Sequence, residues 1–260
     1  MGYPIGQSKG VYVHNALFAN RNSVYCQLPS RDLRSFMRHI APLLAGFSVT
    51  IPHKESITRY LDALTDEARA IGAVNTVVRR RGRLVGLNTD AGAALDAIED
   101  VLRVRGLRVL ILGAGGAARA IGYEARRRGA RLLVCTRSPE SARRFARDFS
   151  ADVVSREDLS RDRFDIVVNA TPVGMVPDMR SSPLPPRLLE GKLVFDAVYN
   201  PPLTRLLRET LAAGGRIVPG TEMYVRQAAR QSALYTGRRP DLAAMRRLLD
   251  HHLNATAANR

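Results

Sequence analysis

The stretch Leu107-Arg-Val-Leu-Ile-Leu-Gly-Ala-Gly-Gly-Ala-Ala-Arg119 decides the fold of this 260-residue chain. Val109 to Leu112 form an unbroken apolar run, as a parallel strand covered on both faces requires. Gly113, Gly115 and Ala118 follow on a G-x-G-x-x-G/A spacing. Each small residue has a physical task. Gly113 permits a tight turn, Gly115 lets the backbone approach a pyrophosphate with no Cβ in the way, and Ala118 lets the next helix pack close to its strand. Free N–H groups and the positive dipole end of that helix then suit a phosphate. The same glycines also fit an ordinary strand-turn-helix joint. A strand before, a helix after and a second strand over Arg131–Cys135 favour the dinucleotide reading.

Working outward, short apolar strands at 107–112, Arg131–Cys135, Ile166–Asn169 and Leu193–Asp196 are separated by helical stretches, which predicts a doubly wound parallel sheet. Upstream, the pattern predicts a helix through His14, Leu17 and Phe18, a strand over 24–28, a helix over 33–44 and a short strand over 47–51. A helix over 53–64 follows, then two strands at 73–78 and 83–86 joined by the basic turn 79–82, and a helical linker over 91–101. Downstream, 223–236 and 242–253 read as helices punctuated by Gly237 and Pro240.

Two cysteines, Cys26 and Cys135, show no metal-ligand spacing, so no metal site is expected and a reduced, cytoplasmic protein is the economical expectation. No apolar run reaches the ~18–20 residues of a membrane span, so no membrane partner is expected. The net charge of +16 raises nucleic-acid binding, yet the arginines that dominate it are spread through most of the chain, and only Lys9, Lys54 and Lys192 are lysines. That spread argues against nucleic acid and for the attraction of small anions.

Lys54 stands just past a strand end in Gly46-Phe-Ser-Val-Thr-Ile-Pro-His-Lys-Glu55. A lysine there can serve as general acid/base on a hydroxyl or carbonyl, or simply snorkel at a helix start. Asp90, in Asn88-Thr-Asp90, is the natural carboxylate partner, or a plain N-cap for the helix after it.

The ordered set Ser8-Lys9 with His14-Asn15, Ser48-Val-Thr-Ile-Pro-His-Lys54, Gly72-Ala-Val-Asn-Thr76, Asn88-Thr-Asp90, Gly113-Ala-Gly-Gly-Ala117, Asn169-Ala-Thr-Pro-Val-Gly-Met175, Asp196-Ala-Val-Tyr199 and Gly220 through Gln227 resembles the shikimate dehydrogenases almost end to end. Stretches 195–208 and 220–237 look most like the dehydrogenase half of the plant enzymes fused to 3-dehydroquinate dehydratase. The resemblance implies an α/β protein with a substrate-binding α/β domain (1–90 and 221–260) plus a Rossmann-type doubly wound NADP domain (91–220), and an active site in the cleft between them. The implied reaction is the reversible reduction of 3-dehydroshikimate to shikimate, a step toward chorismate and the aromatic amino acids.

In that frame Lys54 and Asp90 form the catalytic pair: Lys54 passes the proton of the reacting hydroxyl, and Asp90 holds that hydroxyl and keeps the lysine charged. Ser8, Gly10, Thr50, Asn75, Asp90, Tyr199 and Gln227 line the substrate pocket, with Ser8, Thr50 and Tyr199 toward the carboxylate and Asn75 and Gln227 toward the ring hydroxyls. Gly113, Ala114, Gly115, Gly116, Ala117, Thr136, Arg137, Ser138, Thr171, Ala197 and Gly220 hold the cofactor. Arg137, standing where an NAD site usually carries an acid, suits a 2′-phosphate and hence NADP.

Two departures stand out. Ser-x-Ser-Pro in the family is Ser8-Lys9-Gly10-Val11 here, which removes one carboxylate-binding hydroxyl and brings quinate dehydrogenase, or dual activity, forward as the alternative; a non-catalytic binder of the same ligands is the remaining reading. The family's first strand is also absent, which predicts unpaired ladder groups beside it and suggests a mis-called start or a longer chain with an upstream dehydratase. The chain is expected to be a monomer or homodimer.

Overall fold

In the computed structural model, which describes residues 1–6, 8–18 and 22–258, contacts divide the chain into two units, Met1–Thr89 with Val225–Arg260, and Asp90–Tyr224. Asp90 and residues 221–224 therefore group with the second unit, against expected boundaries after 90 and 220. Asp90 is the first residue of a helix of that unit, and Met223 packs into its core.

In the first unit, β1 (Gly46–Ser48), β2 (Ala63–Leu64), β3 (Thr76–Arg80) and β4 (Arg83–Leu87) form a sheet in the order β1-β3-β4-β2. Helices α1 (Gly10–Leu17), α2 (Leu33–His39), α3 (Asp66–Ile71) and the C-terminal α9 (Leu242–Ala258) belong to this unit, as does α8 (Gly220–Thr236) from Val225 on. Phe36, Phe47, Val49, Ile57 and Val77 are core residues.

Several expected elements differ here. Residues 24–28 form no strand, because the Asn15 side-chain amide takes both backbone groups of Tyr25 (2.7 and 2.9 Å) and Gln27 Nε2 donates to Ile5 O and Ser8 O. The helix predicted over 33–44 stops at His39 and restarts as a 3-10 turn, Ala41–Leu43, with Pro42 inside it. Strand 47–51 shortens to β1, and helix 53–64 becomes a 3-10 turn, Ser56–Tyr60, followed by β2. The ladder groups expected to lack partners are paired. Thr50 N–H donates to Met1 O and Tyr3 N–H to Ile51 O, both at 2.9 Å, while Ser30 N–H reaches Gly2 O at 3.0 Å.

The second unit holds β5 (Arg108–Leu112), β6 (Arg131–Cys135), β7 (Ala151–Val153), β8 (Ile166–Asn169), β9 (Leu193–Asp196) and β10 (Arg216–Val218) as a parallel sheet, ordered β10-β9-β8-β5-β6-β7. Val109 and Ile111 point into one buried cluster and Leu110 and Leu112 into another, so β5 is covered on both faces as its unbroken apolar run requires. Helices α4 (Asp90–Glu99), α5 (Gly116–Arg127), α6 (Pro139–Phe149) and α7 (Arg205–Ala212) complete the unit. Arg128 ties α4 to α5, donating to Asp96, Glu99 and Glu124 at 2.6, 2.8 and 2.8 Å.

Candidate active site

Strands β9, β8, β5 and β6 are neighbours and parallel, so their carboxyl ends present one continuous edge of loops. In open α/β sheets that edge is where ligands bind. Gly113 has φ 100°, a conformation glycine alone adopts without strain, and a Cβ there would lie 3.2 Å from Thr171 Cγ2 and 3.3 Å from Ala170 O. Gly115, the N-cap of α5, has nothing within 4 Å of where its side chain would stand, and no side chain caps the helix. Gly115 is exposed, Gly116 and Ala117 are half-buried and Ala114 is buried behind them, so the start of α5 is open to an anion at Gly115, which is what a pyrophosphate needs.

At the end of β6, Thr136 is half-buried while Arg137 and Ser138 are exposed. Ser138 has a structural role: its Oγ accepts the Ser141 N–H at 3.2 Å and caps α6. Arg137 has no ion-pair partner among the described residues. These features fit a dinucleotide carrying a 2′-phosphate.

At the end of β9, the fully buried Asp196 carboxylate accepts from Thr204 Oγ1 at 2.6 Å, Asn169 Nδ2 at 2.9 Å and Val198 N at 3.0 Å. Burial outweighs these hydrogen bonds and lifts its pKa to about 6. Ala197 is half-buried and its N–H donates to Asn169 O at 2.9 Å. Gly220 is a packing glycine, since a Cβ would fall 2.5 Å from Val198 O and 2.7 Å from Asp196 O. Tyr199 is half-buried with its ring 4.7 Å from that of Tyr224. The Asp196 network was not foreseen. Its signal in the sequence is an acid ending an otherwise apolar strand.

Asp90, 4% exposed, opens α4 as its first helical residue rather than as the cap before it. In the first unit, Lys54 is half-buried in the turn after Thr50, with its carbonyl accepting Val74 N–H at 2.7 Å. His53 before it is buried and bonds Ser30 O through Nε2 at 2.8 Å, which anchors the turn. Thr50 is half-buried and its carbonyl accepts His53 N–H at 3.0 Å.

Asn75 is buried; its amide donates to Thr89 Oγ1 and accepts from Thr89 N and Thr76 Oγ1. Gln231, also unforeseen, donates to Asn75 O and Thr76 Oγ1 at 3.2 and 3.0 Å, one helical turn beyond the half-buried Gln227. Ser8 Oγ accepts the Gly10 N–H at 3.3 Å. A Cβ at Gly10 would lie 3.2 Å from Tyr25 Cε1 and 3.5 Å from its hydroxyl, so the Tyr25 ring takes part of the room a serine needs. That ring stacks on His14, centroids 4.4 Å apart.

Glycine turn, open helix start and unopposed arginine together define a dinucleotide-binding protein of the doubly wound α/β class. Residues 1–77 match the shikimate dehydrogenase substrate binding domain, 220–249 the shikimate 5′-dehydrogenase C-terminal domain, and 108–200 the coenzyme F420-dependent NADP oxidoreductases. A shikimate dehydrogenase (NADP(+)) of Shouchella clausii is 38% identical over 267 residues, 97% of either chain. The chloroplastic bifunctional 3-dehydroquinate dehydratase/shikimate dehydrogenase of Arabidopsis thaliana is 38% identical over 91% of this chain and 43% of its own. The crystal structure of Thermus thermophilus shikimate 5-dehydrogenase with NADP(H) and shikimate superposes with a TM-score of 0.85 at 34% identity, covering 96% of this chain and 97% of that one. The chain belongs to the shikimate dehydrogenase family.

Proposed function

We propose that the protein is an NADP-dependent shikimate dehydrogenase that interconverts 3-dehydroshikimate and shikimate. The observation that carries this reading is the likeness, over 97% of the chain, to a relative named for that activity. NADP, when bound, supplies or takes the hydride. The chain's own residues do the rest. Backbone at Gly113, Gly115, Gly116 and Ala117 receives the pyrophosphate, Arg137 the 2′-phosphate, and the loops at Thr171 and Ala197 lie along the same edge of the sheet. Lys54 Nζ holds and moves the proton of the reacting hydroxyl, with Asp90 as the acceptor that orients it. Ser8 suits the substrate carboxylate, because its oxygen already accepts the Gly10 N–H and its own hydrogen remains to donate outward. Thr50 and Tyr199 act with it, and Asn75 and Gln227 meet the ring hydroxyls. A cytoplasmic setting, with Cys26 and Cys135 as free thiols, belongs to the same reading; among the described residues no helix is long and apolar enough to cross a membrane.

The quinate alternative loses its main support, since Gly10 is packed beneath Tyr25 and does not simply leave space beside a carboxylate. Turnover with NADP and NAD, each crossed with shikimate and quinate, tests the assignment. NADP with shikimate should give the highest kcat/KM; a higher value with quinate transfers the protein to the alternative, and no turnover with any pair makes it a binder.

A further inference from the structure

Asp196 ends β9 fully buried, with no ion pair to any described residue. A buried carboxylate without a counter-ion is an unfavourable way to end a strand, and its partners show what it organises. They come from three segments: Asn169 at the end of β8, Val198 in the turn after β9, and Thr204, the N-cap of α7.

An ionised carboxylate only accepts, so Asn169 must offer it the amide nitrogen, and the amide oxygen is thereby turned the other way. There it accepts Thr171 N at 3.1 Å and Thr171 Oγ1 at 2.7 Å. Thr171 Oγ1, its hydrogen committed, accepts Val173 N at 3.3 Å. One acceptor-only group thus fixes which way the Asn169 amide faces, and with it the side-chain hydrogen bonds to Thr171 and, from Nδ2 at 3.3 Å, to Val173 O. That loop lies directly against the glycine turn, since the Gly113 Cβ position is 3.2 Å from Thr171 Cγ2. On its other side Asp196 fixes the turn through Val198, whose carbonyl packs on Gly220.

We propose that Asp196 is a positioning residue for the cofactor: through Asn169 and Val198 it holds the loops carrying Thr171 and Ala197 in the arrangement that receives the dinucleotide. The proposal rests on the NADP reading above. It concerns preorganisation, so its signature is in cofactor affinity and not in the shikimate side of the reaction.

The test compares the wild type with Asp196→Ala, Asn169→Ala, the double variant and Asp196→Asn, measuring NADPH dissociation constants by fluorescence titration and shikimate KM by turnover. Asp196→Ala and Asn169→Ala should each weaken NADPH by about tenfold, and the double variant by little more, because both remove the same chain of bonds. Shikimate KM should stay within about twofold. Asp196→Asn should recover most of the affinity, since its oxygen can face Asn169 and Val198 while its nitrogen donates to a rotated Thr204. Wild-type affinity for NADPH in either folded alanine variant overturns the proposal, as does full additivity in the double. Should Asp196→Ala fail to fold, Asn169→Ala and Asp196→Asn carry the same comparison. A wild type that binds no NADPH instead overturns the functional reading itself.

Discussion

At the scale of single residues, the proposed chemistry asks for one proton carrier and one phosphate anchor, and each has a distinct kinetic signature. A group that moves a proton acts chiefly in the transition state. Lys54→Ala should therefore lower kcat by about 10²- to 10⁴-fold, the usual worth of general acid–base catalysis, while shikimate KM shifts only modestly. Steady-state kinetics decide it: a preserved kcat with a raised KM makes Lys54 a binding residue. Arg137 is exposed and has no acidic partner among the described residues, so its guanidinium is available for a charge-assisted bond to a 2′-phosphate. Arg137→Ala should reduce the preference for NADPH over NADH by about tenfold or more. An unchanged ratio of kcat/KM for the two cofactors assigns the phosphate elsewhere, with the exposed Arg143 on α6 the first candidate.

At the scale of elements, the β3–β4 hairpin turns on two residues, Arg81 at φ 49° and Gly82 at φ 78°. Positive φ at both central positions is the type I′ geometry, which suits Asn-Gly far better than Arg-Gly. Arg81→Asn should stabilise the protein by about 0.5 kcal/mol, seen as a small rise in Tm, because asparagine tolerates the left-handed region that arginine occupies at a cost. A lower Tm would mean that the Arg81 side chain contributes more than its backbone strain removes.

The elements that could be read in advance are those whose own pattern is decisive. Strands β5, β6, β8 and β9 are apolar runs buried on both faces, and the glycine spacing after β5 sets the turn and helix start. Segments 24–28 and 53–64 could not be read, because their backbone is organised by distant partners. Asn15 reaches across to Tyr25, Gln27 to Ile5 and Ser8, and His53 to Ser30. The candidate site divides the same way. Its chemistry-bearing residues stand in quotable motifs, whereas the Asp196–Asn169–Thr171 chain and the Gln231 contact to Thr76 arise only when separate segments meet.

At the scale of the whole molecule, His14 in the first unit and Asp196 in the second are buried titratable groups that load stability with opposite pH slopes. His14, in α1 of the first unit and 1% exposed, has its pKa lowered to about 4 by burial, partly opposed by the Gln231 side chain. Between about 4 and the ordinary 6.5, the unfolded chain binds a proton that the folded chain refuses, so stability falls as pH drops through that window. Asp196, in the second unit, has its pKa raised from 3.8 to about 6, so over that interval the folded chain keeps a proton that the unfolded chain has released. Its contribution therefore falls as pH rises. Each slope integrates to on the order of 3 kcal/mol, and where the units unfold in one transition the two offset each other between about pH 4 and 6. Single variants should separate them. Relative to wild type, His14→Phe, which preserves a ring against Tyr25, should gain stability steadily as pH falls from about 6.5 toward 4; Asp196→Asn should gain it as pH rises from about 4 toward 6. Denaturant titrations of the three proteins at several pH values across that range measure both trends, and curves that stay parallel to the wild type would remove the assignment of either slope to its residue.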